Sequence, residues 1–91
     1  MKVIWSEAAA NDLESIVRHI SRDSPEAARR VAKEIFDIVM SLPSLPFRGR
    51  KREEDSAREI VFAPWPYVAV YEIVGDKLYV KAVRHTARHR S

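Results

Sequence analysis

Eight residues, Tyr67-Val68-Ala69-Val70-Tyr71-Glu72-Ile73-Val74, are almost all branched, aromatic or small. Gly75-Asp76 follows, and then Lys77 through His85 alternate apolar and polar. β-Branched and aromatic residues suit a pleated, half-buried surface. A two-residue linker of this type favours the primed turns of a tight hairpin. A hairpin this long needs a layer to cover one face, and the rest of the chain is read for that layer.

A two-residue loop fixes register and pairs Val74 with Lys77. Counted back from there, Tyr71, Ile73, Ala69, Leu78, Val80 and Ala82 share one face, nearly all apolar, which is expected to pack on helices. The same register puts Arg84 on that helix-side face. The second face carries Glu72 opposite Tyr79, Val70 opposite Lys81, Val68 opposite Val83, and then His85. It is half apolar and is expected to be partly open.

Two helices are expected upstream. Lys2-Val3-Ile4-Trp5 reads as a strand. Ser6 then has the chemistry of an N-cap, with Glu7 favourable against the helix dipole. Ala9, Leu13, Ile16, Val17 and Ile20 recur on one helical face, with Asn11, Asp12, Glu14, Arg18 and Arg22 opposite. Asp23-Ser24-Pro25-Glu26 ends this helix and starts another, since Pro at a first helical position forfeits no bond. Ala28, Val31, Ala32, Ile35, Val39 and Leu42 form its apolar stripe. Phe36, Ile38 and Met40 widen the stripe beyond one face, which predicts apolar surface for a partner. Pro43 and Pro46 end the helix. Residues 43–57 read as a mixed-charge loop, in which Gly49 permits a close approach, such as by phosphate. Arg58 through Phe62 is a further strand, interrupted by Ala63-Pro64-Trp65-Pro66. The order strand, helix, helix, strand, strand, strand is an α+β pattern with the helices set against an antiparallel meander. Ninety-one residues bound this to a single domain, residues 1–91.

Charge is distributed unevenly. The net charge is +3. Residues 77–91 hold Lys77, Lys81, Arg84, Arg88 and Arg90 with no acid, whereas the preceding 76 residues hold 11 basic and 13 acidic side chains. A basic end of this kind solubilises, or it meets something anionic. No apolar run is long enough to span a membrane, and no basic-then-apolar leader opens the chain, so a cytoplasmic protein is expected. With no Cys there is neither disulfide nor thiolate metal site. His85 and His89 lack the neighbouring acid or Cys that would complete a metal site, and no cofactor motif occurs, so neither metal nor cofactor is expected. The basic end does suit metal-free RNA cleavage by the 2′-hydroxyl, with His85 as acid or base and Lys81, Arg84 and Arg88 on phosphate. The same charges suit docking on an anionic surface, and their spacing does not separate the two.

Several phrases in this order resemble the RelE/ParE superfamily of toxins from bacterial type II toxin–antitoxin modules. They are Trp5-Ser6, the helix around Leu13, Glu14 and Ile16, Ser24-Pro25 with Ala28, and Pro46-Phe47-Arg48-Gly49. Arg58-Glu59-Ile60, Tyr67 with Tyr71, and Val83-Arg84-His85-Thr86-Ala87-Arg88 complete the set. The resemblance implies two helices on an antiparallel sheet and a cognate antitoxin, giving a toxin–antitoxin hetero-oligomer. RelE-like members cut messenger RNA on the ribosome; ParE-like members poison DNA gyrase. RelE-like nucleases place Arg after the first Tyr of the central strand, where this chain has Val68, and many have a Tyr near the C-terminus, where this chain has none after Tyr79. The ParE-like branch is therefore favoured, with Arg84, His85, Arg88 and Arg90 as target-binding groups and Phe36, Val39 and Met40 as antitoxin contacts. In the RelE-like alternative His85, Arg88 and Lys81 would be catalytic. A third alternative is an inactive homologue that only binds antitoxin.

Overall fold

Ser6 is the hinge between the two layers. It ends strand β1 (Lys2–Trp5) and caps helix α1 (Glu7–Ser21), its hydroxyl accepting from Ala9 N at 3.0 Å. The computed structural model describes residues 1–89. Ser24 repeats the device for helix α2 (Pro25–Ser41), accepting from Ala27 N at 3.1 Å with Pro25 in the first turn. A 3-10 turn, Leu42–Ser44, closes α2 where Pro43 forbids another helical bond.

The chain then lays down β2 (Arg50–Lys51), β3 (Arg58–Val61), β4 (Tyr67–Val74), β5 (Lys77–His85) and a short helix α3 (Thr86–His89). The five strands form one sheet in the order β1-β5-β4-β3-β2. β1 runs parallel to β5, with Trp5 beside Val80, and the other neighbours are antiparallel. The fold class is α+β, as the sequence implies. The turn between β4 and β5 places Gly75 at φ +61, the left-handed region that a side chain disfavours.

One side of the sheet takes the helices. Ala9, Val31, Ile35, Val39 and Leu42 pack there against Tyr71, Leu78, Val80, Ala69 and Val83. Tyr71 is completely buried, yet its hydroxyl is fully used: it donates to Pro46 O at 2.9 Å and accepts from Gly49 N at 2.8 Å. The close approach expected at Gly49 is thus made to Tyr71, and its N–H is not turned to a phosphate. Arg58 holds the same segment, donating to Gly49 O at 2.9 Å and lying 4.9 Å above the Phe47 ring. Trp65, between its two prolines, anchors the β3–β4 loop to α2 by donating its indole N–H to Glu34.

The expected register holds only as far as Tyr71. Val74 faces Lys77, Glu72 faces Tyr79 and Tyr71 faces Val80. Then Val70 faces Ala82, Ala69 faces Val83, Val68 faces Arg84 and Tyr67 faces His85. Lys81 is an extra residue, a β-bulge, and every pair beyond it is displaced by one. The expected pairs Val70–Lys81 and Val68–Val83 do not form. Ala82 leaves the helix side and packs with Val70 and Ala57; Val83 and His85 turn toward the helix side, and Arg84 turns away from it.

The bulge has a physical cause in the crossing of α1. β1 leaves β5 at Val80, where Ser6 N donates to Val80 O at 3.0 Å. Past that point β5 has lost its strand neighbour on this side, and its polar groups need other partners. The Ser6 hydroxyl donates to Lys81 O at 3.2 Å, and Asp12 Oδ2 accepts from the buried Val83 N at 3.0 Å. Asp12, which helical spacing places on the outer face of α1, thus serves as a substitute for the missing strand.

The second face is also less open than expected. Val68, Val70 and Ala82 are all buried. The loop at 52–57 folds over Val70 and Ala82, with Ala57 in contact, Ser56 donating to Glu72, and Asp55 Oδ1 accepting from Ala57 N at 2.9 Å.

Candidate functional site

The bulge sorts the basic end of β5 into two sites on opposite faces. On the helix side lies a cleft of about 330 Å³. One wall is a single stripe of α1, namely Asp12, Ser15, Ile16 and His19. The other is Tyr67, Val83, Arg84, His85 and, from α3, Arg88. His85 stands edge-on to Tyr67, with centroids 5.5 Å apart and planes at 86°. Its Nδ1 accepts from Ala87 N at 3.1 Å. In the neutral ring the proton therefore sits on Nε2, leaving a donor available to a ligand.

On the opposite face a shallow hollow is lined by Arg52, Asp55, Ala57, Val70, Lys81, Ala82, Arg84 and His89. Lys81 Nζ lies 3.6 Å from Glu72 Oε1. His89 Nε2 lies 2.6 Å from Glu59 Oε2, and both side chains are about four-fifths buried (19% and 20% exposed). Arg52 Nε is buried beneath three carboxylates, 3.5 Å from Glu54 and Asp55 and 3.7 Å from Glu59. The contact between His89 and Glu59 ties α3 down onto the sheet.

The predicted site residues thus separate. Arg84, at the rim, lines both sites. His85 and Arg88 belong to the helix-side cleft, and Lys81 to the opposite hollow. The expectation that His85 shares an open face with Lys81 is corrected: the bulge between them reverses the alternation. For the same reason the strand position of Arg84 is on the opposite face, and its side chain meets the helix-side cleft only at the rim. Arg90 lies outside the described residues. On α2, Phe36 and Met40 are exposed (51% and 49%). Val39 has no exposed surface and belongs to the core, so it is withdrawn as an antitoxin contact. Sequence reasoning missed Asp12, His19, Tyr67, Glu59, Arg52 and His89. Asp12 and His19, spaced by seven on one helix, carry a periodic signal that the search for apolar stripes passes over.

Among the described residues no cluster of three or more His, Cys, Asp or Glu is placed to hold a metal ion, and no helix is long and apolar enough to cross a membrane.

Comparison with known proteins agrees with this architecture. A family model described as the ParE toxin of the type II toxin–antitoxin system, parDE, matches residues 3–90. The chain is 36% identical over 87 residues to Toxin RelE2 of Caulobacter vibrioides, covering 96% of this chain and 97% of that one. It is also 36% identical over 75 residues to putative toxin Y4kP of Sinorhizobium fredii, covering 82% and 78%. A solved structure of the chromosomal ParDE toxin–antitoxin system from P. aeruginosa superposes with a TM-score of 0.82 at 25% identity, covering 93% of this chain and 95% of that one.

The fold and these matches define the toxin component of a type II toxin–antitoxin module, within the RelE/ParE superfamily. The chain belongs to the ParE toxin family.

Proposed function

We propose that this chain is a ParE-like growth inhibitor that binds DNA gyrase in the cytoplasm and is neutralised by its cognate antitoxin in a hetero-oligomer. The observation that carries the reading is Val68. It follows Tyr67 at the position where the resemblance puts a nuclease arginine, and it is 2% exposed beside Arg84. An apolar side chain buried there offers nothing to a phosphate. Arg84, His85, Arg88 and Arg90 would be the groups that recognise the target, and Phe36 and Met40 would meet the antitoxin. Purified protein should inhibit gyrase supercoiling at micromolar concentration, and Arg88→Glu should weaken the inhibition. No inhibition by the wild-type chain would overturn the proposal.

One observation favours a second reading, ribosome-dependent cleavage of messenger RNA. His89 and Glu59 form a close acid–base pair beside Arg52, Lys81 and Arg84, all on one face. In that case His89, not His85, would exchange the proton, while Lys81 and Arg84 would hold phosphate. Arg88 lies in the other cleft, away from this pair. Mapping messenger ends after induction separates the readings. New ends that vanish in His89→Ala establish a nuclease; their absence from wild type removes it.

A further inference from the structure

We infer that the helix-side cleft is a receptor for a carboxylate, presented by an acidic side chain within an otherwise apolar segment of a protein partner. The inference rests on reading the end of β5 as a recognition surface, but it does not require that the partner be gyrase.

Four groups able to carry positive charge, His19, Arg84, His85 and Arg88, line this cleft from α1, β5 and α3. Asp12 is the single carboxylate lining it among the described residues, and one of its oxygens is committed to Val83 N. The internal bond from Ala87 N fixes the His85 ring so that Nε2 is its free donor. A rigid donor flanked by guanidinium groups is the arrangement that charge-assisted recognition of an oxyanion uses.

The walls select the kind of oxyanion. Ile16, Val83 and Tyr67 supply apolar surface within the same cleft. A volume of about 330 Å³ accommodates a few side chains. A nucleic acid presents a charge at every residue and gains from a long basic stripe that counts phosphates. One carboxylate with apolar neighbours matches both the charge and the lining. His19, exposed on α1, is thereby assigned to the site.

The test is a titration of the full-length, 15N-labelled chain with three probes: acetyl-Leu-Glu-Leu-amide, acetyl-Leu-Gln-Leu-amide and inorganic phosphate. The Glu peptide should move the backbone resonances of His19, Val83, His85 and Ala87 together. The Gln peptide should bind about tenfold more weakly, the usual consequence of losing one charge-assisted contact. His19→Ala should weaken the Glu peptide by about threefold or more, within the range for one such contact at a partly exposed site. Because His19 is exposed and outside the core, that variant reports on binding without threatening the fold. His85→Ala should have the larger effect, with the backbone spectrum confirming that α3 still forms. Equal response to the Gln peptide, an equal or stronger response to phosphate at the same concentration, or an unchanged His19→Ala variant would each overturn the inference. Peptide binding without gyrase inhibition would leave it standing and remove only the choice of target.

Discussion

Replacing Asp12 by Ala removes the acceptor that stands in for a missing strand beside β5. The carboxylate accepts from Val83 N at 3.0 Å, and Val83 is 3% exposed. A hydrogen bond to a charged group contributes about 1.5–3 kcal/mol, and its loss strands a buried donor. Asp12 is itself partly exposed, so water entering the cleft recovers some of this. The expected cost is therefore about 1–2 kcal/mol, against a typical total near 5–15 kcal/mol for a folded domain. For a chain of this size that corresponds to a fall in Tm of about 5–15 °C. Asp12→Asn keeps a carbonyl oxygen at the same place and should cost less than half as much. Thermal unfolding gives the totals, and amide hydrogen exchange localises them: Val83 should lose protection in Asp12→Ala before Leu78 or Tyr71 does. An Ala variant as stable as wild type, or an Asn variant as damaged as Ala, would refute the account of the bulge.

Gly49→Ala should destabilise by about 2–4 kcal/mol, because overpacking at an immobile site is costly. The new Cβ would sit 2.5 Å from the Tyr71 hydroxyl and 2.9 Å from Glu59 O, and neither has room to retreat. A urea midpoint within error of wild type would contradict this. Trp65→Phe removes the indole donor to Glu34 and should cost about 1–2 kcal/mol by denaturant titration. Phe36→Glu should weaken the antitoxin complex by about tenfold, as truncating an interface anchor does, while its Tm stays close to wild type. Unchanged affinity would place the interface elsewhere.

Local chemistry made much of this molecule readable. The caps Ser6 and Ser24, the prolines bounding α2, and Gly75 each act within a few residues, and each does in the structure what its type suggests. Tyr67 through Val74 and Lys77 through His85 form their hairpin from pattern alone. The bulge was not readable, because nothing at Lys81 distinguishes it from its neighbours. It depends on where β1 leaves β5 and on the carboxylate of Asp12, 71 residues before the Val83 N–H it accepts from. From that one displaced residue follow the errors in the site: His85 and Arg84 on exchanged faces, and Ala82 beneath the 52–57 loop. Val39 differs from its expected role for another reason. Helical spacing puts it in the apolar stripe, on the core side of α2, whereas Met40 and Phe36 beside that stripe face outward. Glu59 and His89 meet across 30 residues, so their pairing also had no local signature.

The division of the basic end into two faces is most directly tested by cross-strand nuclear Overhauser effects between β4 and β5. The bulged register requires contacts of Val70 with Ala82 and of Tyr67 with His85. Pairing of Val68 with Val83 and of Tyr67 with Arg84 would restore the unbroken alternation and contradict the account, for both sites would then disappear.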